Sequence, residues 1–211
     1  MRRSVISTLV CTSLVLIATI ANADTTALDV TSSTSVLGVG SSLNNVGWQF
    51  SVSSTITVTS LGVFDVNPAG LAENHEVGIW NSSGTLLAST TVTNASTMVS
   101  SASGAGNWLF QGISPLTLGA GTYVIGAFYS ANNTDDVMLS TTISNISAIT
   151  YLSSRASSSG SFGEPDVYGL FKPGVFGPDF TVQATTPTPE PASVLLLTCG
   201  LSAIVLRRLR K

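Results

Sequence analysis

The sequence predicts an all-β exported domain, an antiparallel, jelly-roll-like β-sandwich flanked by an N-terminal signal-peptide helix and a short C-terminal transmembrane helix. Three observations predict it. Over residues 24–184, apolar and polar residues alternate in many short runs. Nearly every run stops at turn-forming Gly, Pro, Asn or Ser. Helical spacing of apolar residues is confined to the two ends.

The chain opens on Met1-Arg2-Arg3 and continues into an apolar stretch over 5–20 with interspersed Ser and Thr. Ala21-Asn22-Ala23 then supplies the small-x-small pattern of a cleavage point. Residues 1–23 therefore read as a signal peptide, with Asp24 the first residue left by signal peptidase. Cys11 follows Val10 rather than a small residue, which argues against lipidation.

Within the domain, Trp48-Gln49-Phe50-Ser51-Val52 and Ile56-Thr57-Val58-Thr59-Ser60-Leu61 alternate at the strand period. Val77-Gly78-Ile79-Trp80, the run 86–92, Trp108-Leu109-Phe110 and the run 123–129 continue the series. Later strands are expected over 137–143, 146–152 and 180–182. Turn chemistry separates them: Asn67-Pro68, Asn81-Ser82-Ser83-Gly84, Gly119-Ala120-Gly121 and Ala131-Asn132-Asn133. The Asn81–Gly84 connection supplies a glycine for a positive φ and joins a hairpin with Trp80 and Leu86-Leu87 as core residues. The low-complexity stretch 153–163 is expected to be a mobile loop, and the Pro-rich residues 185–191 a stalk.

Charge narrows the function. The exported part carries only Arg155 and Lys172 as cations, against Asp24, Asp29, Asp65, Glu73, Glu76, Asp135, Asp136, Glu164, Asp166 and Asp179, a net charge of about −8. Nucleic acid is excluded as a partner, because phosphate binding needs clustered Lys and Arg. Both cysteines, Cys11 and Cys199, fall in the terminal segments, so the domain has no disulfide. A domain of roughly 150 residues buries an adequate core without one.

His75 is the single histidine, with Glu73 and Glu76 beside it. A Ser–His–acid site would need a serine on a supported elbow, and no Gly-x-Ser-x-Gly occurs. One histidine also falls short of a usual zinc set, so His75 is expected as an exposed strand-edge residue. Asp135 and Asp136, following Asn132-Asn133, form an oxygen-rich loop of the kind that suits calcium, but without the regular Asp-x-Asp-x-Asp-Gly spacing; a solvated turn is expected. Nothing marks a carboxylate pair for glycoside hydrolysis. Trp48, Trp80 and Trp108 sit in apolar strands and are expected in the core, an exposed sugar platform being the alternative. Asp135, Asp136 and Trp80 are the ligand candidates; no catalytic residue, metal ligand or cofactor is assigned.

The tail begins with Pro189-Glu190-Pro191, which proline keeps extended. An apolar run over 192–206 follows, then Arg207-Arg208-Leu209-Arg210-Lys211. At ~1.5 Å rise per residue that run spans about 22 Å, short of the ~30 Å hydrocarbon core, which suits a transient anchor. The basic residues 207–211 would stay cytoplasmic. In this order the three parts resemble the PEP-CTERM sorting signal of diderm bacteria, a segment also described as an ice-binding protein C-terminal domain, a name that carries no evidence of ice binding. The resemblance implies recognition of the Pro-Glu-Pro region by an exosortase, a membrane-embedded cysteine protease that removes the hydrophobic tail.

The central block carries a second resemblance. His75-Glu76-Val77-Gly78-Ile79-Trp80, the Gly84-Thr85-Leu86-Leu87-Ala88 return, the Trp108 strand and Pro115-Leu116-Thr117-Leu118-Gly119-Ala120-Gly121-Thr122-Tyr123-Val124 are similar to a domain-of-unknown-function family of extracellular bacterial β-sandwiches. It would cover roughly residues 44–130, and the family has no established catalytic residues to carry over. Together these readings point to a non-enzymatic cell-surface or extracellular-matrix protein of a diderm bacterium. It would be held transiently in the inner membrane by its tail helix before reaching the cell surface or matrix, and its partners would be signal peptidase, an exosortase-like protease and extracellular polysaccharide. A carbohydrate- or calcium-binding surface module is the alternative, and a secreted hydrolase a third class.

Overall fold

In the computed structural model, residues 24–184 are described apart from 33–34, 41–42, 68, 140–141 and 170–173. The expected signal peptide (1–23) and the segment 185–211, with the expected stalk and tail helix, lie outside the described residues, among which no helix is long and apolar enough to cross a membrane. The chain runs through β1 (Thr25–Thr26), β2 (Leu28–Ser32), β3 (Ser35–Gly38), β4 (Asn45–Val52), β5 (Ile56–Asp65) and β6 (His75–Asn81). It continues as β7 (Leu86–Val92), β8 (Thr97–Ser100), β9 (Asn107–Leu118), β10 (Gly121–Phe128) and β11 (Asp136–Leu139). The last strands are β12 (Thr142–Asn145), β13 (Ile149–Ser157), β14 (Val167–Tyr168), β15 (Val175–Phe176) and β16 (Pro178–Val182).

Two sheets make the sandwich. One has the order β1-β16-β5-β9-β8 and the other β14-β13-β4-β10-β6-β7, with small sheets β15-β11-β3 and β12-β2 beside them. Successive strands cross between the large sheets, β4 to β5 and β9 to β10, which is the jelly-roll-like antiparallel arrangement expected. The period-2 pattern explains the contact between layers. In β4 one face carries Val46, Trp48, Phe50 and Val52, all buried. That face meets Phe180 of β16, which stacks on Trp48 at 5.9 Å and tilts against Phe50 at 5.0 Å. All three tryptophans are buried, Trp48 and Trp108 in the core between the sheets.

Differences from the expected strands have physical reasons. The run 137–143 is two strands in different sheets, β11 and β12. The strand expected over 146–152 runs instead over Ile149–Ser157, and register shifts between Tyr151 and Ser153 where it pairs with β4. Hence the serine-rich stretch 153–163 begins as a paired strand rather than a mobile loop. Leu86 is 43% exposed and Trp80 lies on the outer face beside Gly78, so of the expected hairpin core only the half-buried Leu87 packs against the core between the sheets. Pro115 is tolerated inside the long β9 because the β5–β9 register shifts there, the usual place for proline in a sheet.

Candidate functional site

The polar groups that could carry chemistry converge at one corner, where β6 begins and β10 ends. His75 opens β6 and is fully buried, because β6 lies between β10 and β7 rather than at a sheet edge. This corrects the expectation of an exposed strand-edge histidine. Its Nδ1 lies 3.0 Å from the carbonyl oxygen of Phe128, its Nε2 lies 3.0 Å from Oδ2 of Asp135, and Tyr129 packs on the ring at 4.4 Å. A carbonyl only accepts, so Nδ1 carries hydrogen. Nε2 faces the Asp135 carboxylate.

Asp135 is equally committed. Its Oδ1 accepts from Ala72 N–H at 2.8 Å, and its Oδ2 accepts from Ala72 N–H at 3.0 Å and Glu73 N–H at 3.2 Å. Asn133 caps the turn by accepting from Asp135 N–H at 3.0 Å, and Glu73 Oε1 accepts from Ser130 N–H at 2.8 Å. Asp135 is 7% exposed, so the expected solvated turn is instead a buried latch between residues 71–73 and 130–135. Asp136 points elsewhere: it is half-buried in β11, opposite Gly38. Both aspartates nonetheless line an open groove of about 290 Å³ with Phe64, Asp65, Val66, Asn67 and Thr134. Burial pushes the Asp65 carboxyl above the usual range, helped by Asp135's charge and opposed by the Asn67 N–H and His75. Among the described residues no three His, Cys, Asp or Glu side chains are grouped to hold a metal ion.

Trp80 occupies a second setting. Gly47, Gly126 and Gly78 sit opposite one another across β4, β10 and β6, with Arg155 of β13 completing the row. Three adjacent glycines leave a trough on the outer face of the six-stranded sheet. A Cβ on Gly126 would stand 2.6 Å from Cδ of Pro165, and one on Gly78 would stand 2.8 Å from both Phe162 and Trp80. Residues 158–166 thus form a strap seated in the trough. Asn45 Nδ2 donates to Ser159 Oγ at 2.8 Å and to the Ser161 carbonyl at 2.9 Å, while its Oδ1 accepts from Gly163 N–H at 3.0 Å. Arg155 Nη1 reaches the Pro165 and Asp166 carbonyls at 3.4 Å. Phe162 packs on Trp80 at 5.3 Å, leaving the residue 4% exposed, so Trp80 is covered by the strap and not an open sugar platform.

Two further buried polar groups stand apart. Asp179 of β16 is fully buried; its Oδ2 accepts from Leu28 N–H at 3.3 Å, and its Oδ1 has no partner among the described residues. Burial raises its carboxyl well above the ordinary range, and Asp29 nearby adds to the effect. The Tyr129 hydroxyl is likewise buried without a partner, and burial, reinforced by Asp135 and Glu73, keeps it protonated.

Of the residues expected at the cleavage and sorting points, Asp24 is exposed and its Oδ2 accepts from Thr59 Oγ1 at 2.5 Å. Ala21, Ala23, Pro189, Glu190, Pro191, Arg207, Arg208 and Arg210 lie outside the described residues. The glycine trough and its strap escaped sequence reasoning, yet a signal was present: Val46-Gly47-Trp48, Val77-Gly78-Ile79 and Ile125-Gly126-Ala127 each place a glycine inside an apolar strand, which marks a close approach of other atoms.

This is a β-sandwich in which His75, Asp135 and Trp80 are engaged within the fold. A family model described as Domain of unknown function (DUF4082) matches residues 31–162, and the chain belongs to that family. The match extends beyond the 44–130 block on both sides, taking in β3, β13 and the start of the strap. No curated protein and no solved structure matches the chain.

Proposed function

We propose that the chain is an exported, non-enzymatic surface or matrix protein. Its DUF4082 sandwich would be the delivered part and its tail a PEP-CTERM-type sorting signal. The observation that carries this reading is the order of the tail: Pro189-Glu190-Pro191, an apolar run too short for comfortable spanning, then the basic cluster ending Arg210-Lys211. The state of the candidate chemical groups supports it. His75 and Asp135 hold two loops together, and Trp80 lies beneath the strap. On this reading the partners are signal peptidase, an exosortase-like membrane protease and, once outside, extracellular polysaccharide.

Intact mass of the protein recovered from producing cells, with and without the protease, is the test. Sorting predicts a chain that starts at Asp24 and ends near Pro189 only when the protease is present. A chain still carrying Lys211 in both cells would overturn the sorting and leave a tail-anchored domain.

A further inference from the structure

We propose that β8 is a self-association edge: its free side pairs antiparallel with β8 of a second copy, joining two five-stranded sheets across a two-fold axis. β8 ends its sheet and is hydrogen-bonded to β9 on one side only. All four of its residues, Thr97-Met98-Val99-Ser100, are exposed. Alternate residues point to opposite faces, yet Met98 is 65% and Val99 39% exposed, so apolar surface flanks the free edge on both sides. Natural edge strands are usually blunted by charge, proline or a bulge, and β8 has no charge, no proline and an unshifted register with β9.

The charge pattern selects the occupant. Over 77–134 no residue is Asp, Glu, Lys, Arg or His, and this stretch holds β7, β8 and β9. Asp29, a carboxylate beside this flank, is taken up by N–H groups of Val30, Trp108 and Ala102. Two copies of a domain with net charge about −8 repel over most of their surface. They can approach closely only where charge is absent, and the β8 edge is such a place. An antiparallel edge is also complementary to itself, which is what an isologous contact requires. Four residues make a small contact, so the pair is weak in dilute solution and is populated at the density of a surface layer. This inference stands whether or not the tail is processed.

The test uses the full-length chain in detergent, with Cys11 and Cys199 changed to serine and single cysteines at 97, 98, 99 and 100, alone and in pairwise mixtures. Antiparallel partners lie within disulfide reach, so a register-specific subset should form intermolecular disulfides under mild oxidation. Val167→Cys on β14, the edge of the other large sheet and 47% exposed, is the control and should give several-fold less dimer. Sedimentation of the cysteine-free chain should show association that strengthens with salt, as screening relieves repulsion, and that Val99→Lys abolishes. Cross-linking at β8 no greater than at Val167, or association unchanged by Val99→Lys, overturns the proposal. Should Val99→Lys misfold, the disulfide pattern decides alone.

Discussion

Replacing Gly126 and Gly47 by alanine separates what holds the strap from what holds the sheet. At Gly126 the new Cβ meets Pro165, a strap residue that can lift, with Trp80 next at 3.3 Å. At Gly47 it meets the carbonyl oxygen of Ile125 and Cα of Gly126, which are backbone atoms of the neighbouring central strand. Overpacking at a yielding site costs about 1–3 kcal/mol. Releasing the strap gives an independent ceiling. Its three hydrogen bonds to Asn45 contribute about 1 kcal/mol each, and the Phe162–Trp80 contact about 0.5–1.5 kcal/mol. Backbone freedom regained by the strap offsets part of this. Gly126→Ala should therefore cost no more than about 3 kcal/mol, a fall in Tm of roughly 6–12 °C for a domain of this size. Gly47→Ala forces β4 from β10 and should cost more than about 4 kcal/mol, enough to threaten a domain whose whole stability is about 5–15 kcal/mol. Thermal melts give the totals; limited proteolysis and hydrogen exchange across 158–166 locate them. In Gly126→Ala the strap should lose protection while β4 and β10 keep theirs. Equal loss of stability in both variants, or an intact strap in Gly126→Ala, would refute the trough.

Three other perturbations have calculable outcomes. Asp179 has a raised carboxyl, so the stability it permits is complete below the unfolded value near 3.8 and is lost as pH rises through the folded value. Asp179→Asn should therefore melt higher than the parent at neutral pH, with the gap closing toward pH 4; a constant gap would show that ionisation is not the cause. His75→Ala and Asp135→Ala each leave a buried partner unpaired and should cost about 3–5 kcal/mol by urea denaturation, whereas the double variant should cost less than their sum. Additive losses would mean the two groups are not coupled. A Cβ at Gly177 would collide with the Tyr129 hydroxyl, which has no hydrogen-bond partner among the described residues. Gly177→Ala should lose about 1–3 kcal/mol and Tyr129→Phe should recover part of it while being nearly neutral alone, read from the same melts.

Local alternation made the sandwich legible, because period 2 is written into each strand regardless of its partner. Trp48, Phe50 and Phe180 could be placed in a core from their own neighbours in the chain. The His75 corner could not. Its burial depends on β6 becoming an interior strand and on Asp135 arriving from a loop sixty residues later, and neither fact has a local trace. The strap misled for a related reason. Serine-rich composition reads as loose chain, but residues 158–166 are fixed by Asn45 and by a trough that exists only when three strands bring their glycines into line. Short strands such as β1, β14 and β15 are defined by pairing alone and left no periodic signal.

The distribution of ionisable groups gives the molecule a polarity that bears on its role. Asp65, Glu73, His75, Asp135 and Asp136 gather around one end of the sandwich, where the first four bond to backbone or to each other. The flank made by β7, β8 and β9 carries hydroxyls and scattered apolar side chains but no charge. A neutral flank with an unguarded edge suits contact with another neutral surface. If the reading is right, lysines introduced at Ser89 and Thr91, exposed on β7, should leave the melting temperature within a few degrees of the parent while reducing retention in the cell-surface fraction. Unchanged retention would place the contact surface elsewhere on the sandwich.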